Sequence, residues 1–267
     1  MLRSMGTILG GTVREYRLLF SLAFKDFQRK FAGSYFGTAW AFIQPILTMI
    51  IYWVVFQYAF KSQDVGDVPF ILWFMAGMIP WLYISEAIQI TGNTFLEYSY
   101  LVKKVIFNID ILPLVKIISS FLIHCFFLGF LLVLCFIFGK TPSIYIIQLP
   151  YYLLCLIIFV YGIGMLTSSI MIFFRDLGQI ISILLLAGMW ATPIAWNINI
   201  FPEKVQMILK LNPFFYLVEG YRDAFVMKQW FWEKPYLTAY FWGVTLIVLF
   251  AGLFVYNRLK PYFSDTL

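Results

Sequence analysis

Few side chains in this sequence are of the kind that perform covalent chemistry, and their spacing argues against it. Gly139-Lys140-Thr141 has the ending of a phosphate-binding loop. Such a loop needs a second glycine five positions upstream, and that position is Leu134. The triplet reads as a turn after an apolar run. His124 is the single histidine, and its neighbour Cys125 points elsewhere on a helix, so no metal site is expected. Cys125, Cys135 and Cys155 all lie within apolar runs; an odd set of buried thiols reads as small packing residues, not a disulfide framework. Acids within apolar segments are scarce. Glu86 and Asp110 stand at the ends of such segments, and no charged relay of the kind proton-coupled carriers use is evident. The expected catalytic, metal and cofactor complement of this chain is therefore none.

What the sequence holds in quantity is aromatic surface: Phe, Tyr and Trp make up 21% of 267 residues. Two uses compete. Rings form belts at membrane interfaces and face lipid at low cost; flat apolar faces also stack on the C–H faces of sugars. The elements that position these rings belong to a membrane protein. Hydrophobic residues make up 62% and charged residues 12%, about half the charged share of a soluble domain. No apolar segment with a cleavage site follows Met1, so no cleaved signal is expected.

The chain reads as one all-α transmembrane domain, 1–267. Residues 14–31 form an amphipathic helix, with Tyr16, Leu19, Phe20, Ala23, Phe24, Phe27 and Phe31 at helical spacing. Arg14, Arg17, Lys25 and Arg29 recur opposite them, a pattern that lies flat in a membrane interface. Six spans follow, at 40–60, 70–89, 113–138, 149–172, 179–194 and 236–256. A segment at 92–104 is too polar to span and reads as a surface helix. Residues 202–228 have helical apolar spacing broken by Asn212-Pro213, which suits two short helices tucked partly into the outer side of the membrane. With the first residues inside, most of the 19 Lys and Arg fall on the inner side, so short-loop bias places both termini and 92–104 in the cytoplasm. No repeat of the first three spans is seen in the last three.

Four strings then carry a family likeness. They are Ser34-Tyr35-Phe36-Gly37-Thr38-Ala39-Trp40 with Gln44-Pro45, Phe173-Phe174-Arg175-Asp176, Thr192-Pro193-Ile194, and Leu211-Asn212-Pro213-Phe214 through Glu219-Gly220-Tyr221-Arg222. In this order on six spans, the chain resembles the transmembrane permease subunits of ABC-type (type-2) polysaccharide exporters, which carry O-antigen, teichoic acid or capsule. The resemblance covers nearly the whole chain. It implies a half-transporter in the cytoplasmic (inner) membrane that pairs with a second copy of itself. It also implies two separate ATP-binding cassette subunits that hold ATP and Mg, and an undecaprenyl-linked polysaccharide as cargo; no nucleic acid is involved.

With that resemblance, roles can be attached to residues. Coupling to the ATPase falls to the amphipathic helix, the 92–104 segment with Glu97, and the Arg175-Asp176 turn. Lys25, Arg29 and Lys30 are placed to meet a lipid pyrophosphate or, equally, plain headgroups. Asn212 and Pro213 mark helices that cap the outer exit as a gate. Glu219 and Arg222, three apart there, have a pairing with each other as the alternative. Tyr52, Phe56, Phe60 and Trp190 are candidates for the channel lining, against a lipid-facing alternative. Two other classes remain open. A type-2 permease for a drug or small lipid would share the fold, and glycan-dependent ATPase stimulation separates it. A membrane-embedded glycan enzyme would need an acid cluster that the sequence lacks.

Overall fold

A computed structural model describes residues 16–103, 108–141 and 143–267. Arg14, at the start of the expected amphipathic helix, and Lys104, at the end of the expected surface helix, lie outside the described residues. The described chain is helical, with one isolated bridge between Val65 and Val68. Helix α1 spans Tyr16–Lys30. α2 spans Trp40–Val54 and ends in a π-helical turn, Val55–Ala59. α3 spans Phe70–Gly92, α4 Thr94–Glu97 and α5 Ser99–Val102. α6 spans Leu112–Ile137 and α7 Leu149–Met171. α8 spans Leu177–Ala191. α9 (Glu203–Lys210) and α10 (Pro213–Arg222) follow, the latter running on through a π turn at Asp223–Met227. α11 spans Pro235–Leu259 and α12 Phe263–Thr266.

Five helical stretches among the described residues are long and apolar enough to cross a membrane: Gly37–Ala59, Phe70–Gly92, Ile109–Ile137, Ile144–Met171 and Pro235–Thr266. α8 is apolar but has only 15 residues, about 22 Å at 1.5 Å per residue against a hydrocarbon core of about 30 Å. The residues after it do not extend it. Thr192 turns extended (ψ 131°) and precedes Pro193, which disfavours the helical conformation at the residue before it and brings no N–H.

α3 is the axle. Apolar over most of its surface, it is flanked by α6, α7, α8 and α10, and 78% of its apolar window is buried, against 11% for the window containing α2. A helix apolar all round needs neighbours all round; α2 lacks them here. α7 and α11 approach backbone to backbone because Gly162 and Gly252 meet at their crossing, the small-residue packing that serves where lipid removes a hydrophobic drive between helices.

α1 divides its face. Leu19, Ala23 and Asp26 are buried, with Leu19 and Ala23 packed on Ile111 and Val115 beside α6, while Tyr16, Phe20 and Phe24 stay exposed. α1, α4, α5, the 172–176 turn and α12 share one end of the bundle, where Phe263 packs on Phe95 and Phe173. The 61–69 loop, α9 and α10 occupy the other. The three cysteines are unpaired thiols; Cys135 and Cys155 are buried, but Cys125 is exposed.

Candidate functional site

The Gly139 triplet is a helix stop. Gly139 has φ +68°, its N–H donates to the Phe136 carbonyl at 3.1 Å, and the Lys140 N–H donates to the Cys135 carbonyl at 2.8 Å. This is the Schellman arrangement that ends α6 by satisfying two of its last carbonyls. His124 meets the Tyr221 hydroxyl through Nε2 at 2.7 Å.

At the α10 end, Arg222 is fully buried. Its Nε donates to the Trp73 carbonyl at 3.2 Å, one terminal nitrogen to the Pro193 carbonyl at 2.7 Å, and the other to the Ile194 carbonyl at 2.7 Å. The guanidinium lies 3.4 Å from the centre of the Trp73 ring and pairs with Glu219 at 2.5 Å. Thus the alternative reading of Glu219 and Arg222, a mutual pair, is realised, together with three backbone bonds. Gly77 makes room for it: a Cβ there would stand 2.7 Å from the guanidinium. Asn212 caps α10 by accepting from the Phe214 N–H at 3.0 Å, and its side-chain amide donates to Thr192 at 2.8 Å. Pro213 occupies the first turn of α10, where its missing N–H costs nothing. Two of the sequence strings, Thr192-Pro193-Ile194 and Asn212 to Arg222, therefore meet in space. Beside them Lys234 pairs with the buried Asp223 at 2.5 Å. Burial pushes the Asp223 carboxyl up to about 6, and the Lys234 ammonium partly opposes the shift.

At the α1 end a second charged cluster joins three elements. Lys116 on α6 donates to Asp26 of α1 at 2.7 Å and to Glu97 of α4 at 2.5 Å, and the Tyr98 hydroxyl donates to Asp26 at 2.7 Å. Burial and the bond to Asp26 raise the Tyr98 hydroxyl well above its ordinary value. This cluster was missed in the sequence, although Lys116 inside an otherwise apolar helix was the signal: an ammonium there needs partners. Asp110 likewise pairs with Lys260 and accepts from Tyr256.

Of the three cations assigned to lipid, Lys25 and Arg29 are exposed on α1, whereas Lys30 is bonded to Glu86 of α3. Arg175 and Asp176 are exposed in the turn before α8, and Asp176 caps that helix without a side-chain bond.

The aromatic candidates are partly gathered. Phe56 and Phe60 stack with ring centres 5.2 Å apart, and Trp190 lies 6.5 Å from Phe56. Tyr52 is half-buried against the core and makes no ring contact with them. Val55–Ala59 is a π turn, so the four-residue register from Tyr52 does not carry through to Phe60. Phe56 and Phe60 border a cavity of about 510 Å³ with Trp73, Trp196 and Asn197. A second cavity of about 370 Å³ lies at the α1 end between α2 and α3. Two separate cavities thus lie along the α2 stretch, one lined mainly by rings and one with polar groups in its wall.

A multi-pass helical bundle with large apolar faces on α2 and α8, a ring-lined cavity and charged clusters at both ends has the build of a membrane transport subunit. The chain belongs to the ABC-2 type transporter family, which it matches over residues 17–226. It is similar to two proteins from Klebsiella pneumoniae described as O-antigen export system permease protein RfbA. One is 26% identical, covering 94% of this chain and 95% of the relative, and the other is 25% identical with the same coverage. The protein of that description from Myxococcus xanthus is 24% identical, over 95% of this chain and 96% of the relative.

Proposed function

We propose that this chain is the channel-forming permease subunit of an ABC transporter that exports a lipid-linked cell-surface polysaccharide, O-antigen first and teichoic acid or capsule next, across the cytoplasmic membrane. Similarity to O-antigen export permeases along nearly the full length of both chains carries the reading. Two copies assemble through α2 and α8, whose exposed apolar faces need cover, and two separate ATPase subunits supply the energy. α8 is the fifth of six spans, its short length met by local thinning of the bilayer. The α1 end faces the cytoplasm. α1 lies in the interface with Tyr16, Phe20 and Phe24 in lipid, and its exposed Lys25 and Arg29 meet the pyrophosphate of the undecaprenyl carrier. Glu97 and the Arg175-Asp176 turn receive the ATPase stroke. α9 and α10, held by Asn212 and Arg222, are outer gate helices, and Phe56, Phe60 and Trp190 line the outer part of the path.

Deletion of the gene in its host tests the assignment. The expected result is loss of one surface polymer on immunoblots of intact cells, accumulation of that polymer on its lipid carrier inside, and recovery from a plasmid copy. Unchanged surface polymer in the deletion strain overturns the reading.

A further inference from the structure

The cavity at the α1 end has an unusual wall for a membrane helix pair. On α2, Trp40, Gln44 and Thr48 recur at four-residue intervals and so share one face. Across from them α3 presents Ser85, Glu86 and Gln89. Polar groups on apolar helices are costly unless something bonds them, and here the bonding is incomplete in a definite pattern. The Thr48 hydroxyl donates to the Gln44 carbonyl at 2.9 Å, and the Ser85 hydroxyl donates to the Leu82 carbonyl at 3.1 Å. Each hydroxyl has thus spent its proton and keeps lone pairs to accept with. Gln89 donates to Ser182 of α8 at 2.6 Å. Gln44 is exposed, and its side-chain amide makes no hydrogen bond among the described residues, so two donors and an acceptor remain open. The one cation, Lys30, is already held by Glu86.

We infer that this cleft is a sugar-binding subsite at the α1 end of the bundle, in which Gln44, Thr48, Ser85 and Gln89 hydrogen-bond the hydroxyls of a passing glycan unit and the Trp40 ring covers its C–H face. The inference rests on the export reading above and adds where, and with which atoms, the polymer is first gripped. Sugar hydroxyls donate and accept at once, and so match a wall of spare acceptors with one open amide. An acyl chain would leave every one of those groups unbonded. A phosphate would face the Glu86 carboxylate with its counter-cation already engaged. The cavity, about 370 Å³, is of small-ligand size, and it opens at the end of the bundle where α1 meets α3.

Two measurements on the chain co-expressed with its ATPase subunit decide it. In a background with Cys125, Cys135 and Cys155 replaced, Thr48→Cys is treated with a charged, membrane-impermeant thiol reagent in inside-out vesicles. The expected result is rapid modification in vesicles from cells that make no polymer. In vesicles loaded with polymer and arrested by vanadate, modification should slow at least tenfold. No modification in either preparation, which is the signature of a face covered by lipid or by the second copy, overturns the subsite, as does equal modification in both. In cells, Gln44→Leu with Thr48→Val should slow export at least tenfold, while Gln44→Asn with Thr48→Ser keeps at least half of it. Equal rates for the two pairs at matched membrane levels overturn the subsite. If the apolar pair fails to reach the membrane, the cysteine result alone decides. A parent chain that still exports polymer while the subsite fails these tests leaves the export reading intact.

Discussion

The two charged knots of this bundle are built on different rules. Arg222 at the α10 end spends its planar fork on three main-chain carbonyls, from Trp73, Pro193 and Ile194, and is sealed from solvent. Carbonyls cannot titrate, and they move only if the backbone moves. Lys116 at the α1 end bonds two carboxylates on two separate short elements, Asp26 buried on α1 and Glu97 half-exposed on α4. Side-chain partners can be exchanged, and an ammonium is a point charge with no fixed direction. The first knot is a staple that holds α3, α8 and α10 in one rigid unit. The second is a joint, with one bond fixed and one at the surface where a partner protein could compete for it. Under the proposed function this asymmetry suits a subunit driven from one side: stiff at the end proposed to hold the gate helices, yielding at the end proposed to receive the ATPase.

The strongest way to break the comparison is Arg222→Met, which keeps volume and removes the fork. Three carbonyls and Glu219 lose their donor in a dry site, so the expected loss is about 3–5 kcal/mol, read as a large drop in thermal midpoint of the purified chain in detergent. Arg222→Lys should recover little of it, since one ammonium does not satisfy three divergent carbonyls. A lysine variant as stable as the parent would show that the geometry of the staple is unimportant.

Lys116→Met should cost less, about 2 kcal/mol, because Glu97 can turn to water and only Asp26 is left buried without its cation. The sharper readout is mechanical. α1 should loosen from α6, seen as faster amide exchange in Leu19–Asp26 with the α7–α11 packing unaffected. Equal loosening at both ends would dissolve the distinction between joint and staple.

The outlines of both regions were legible in the sequence to different degrees. Apolar run lengths gave the long helices, because a membrane forces an apolar stretch to be helical. The cap at Asn212-Pro213 was readable, since its chemistry is local. The staple was half-visible: Glu219 and Arg222 at three-residue spacing announce a pair, but nothing in the sequence says that residues 73, 193 and 194 converge on the same guanidinium. The joint was signalled only by Lys116 inside an apolar helix, and its partners Asp26 and Glu97 lie too far away in the chain to be named from the sequence. Asp26 was absorbed into the polar side of α1, where the pattern gave no reason to separate it from its neighbours. The ring of Tyr52 does not meet those of Phe56 and Phe60, because four-residue spacing does not foresee the register shift of a π turn at Val55–Ala59.

Asp223 lies between the two extremes: buried like the staple, yet bonded to the half-exposed ammonium of Lys234. Its folded-state value of about 6 stands above the ordinary 3.8. The folded chain therefore holds this proton at a higher pH than the unfolded chain does. The associated stability is fully present below about pH 4 and is lost as pH rises through 6, a component on the order of 3 kcal/mol. The thermal midpoint should fall between about pH 4 and pH 6 in the parent and stay flatter in Asp223→Asn. A parent and variant with parallel profiles would mean that Lys234 fully compensates the burial.

The smallest effect on stability is expected where the largest effect on transport is proposed. Arg175 and Asp176 sit exposed in the turn between α7 and α8, and neither side chain has a hydrogen-bond or ion-pair partner among the described residues. Exchanging them, Arg175→Asp with Asp176→Arg, removes no buried contact. It does place a cation at the start of α8, where the helix dipole prefers an anion, at a cost of about 0.5 kcal/mol. The thermal midpoint should therefore barely move. If the turn is where the ATPase subunit pushes, the exchange should separate ATP hydrolysis from export, with hydrolysis continuing while surface polymer falls at least tenfold. The same exchange should leave the Lys116 joint intact, because that joint is built from residues of α1, α4 and α6 and includes neither Arg175 nor Asp176. Should export persist at the parent rate, the turn serves only to begin α8. The proposed coupling then rests on α1 and Glu97, and Glu97→Gln, which weakens the joint without removing a buried group, becomes the next variant to measure.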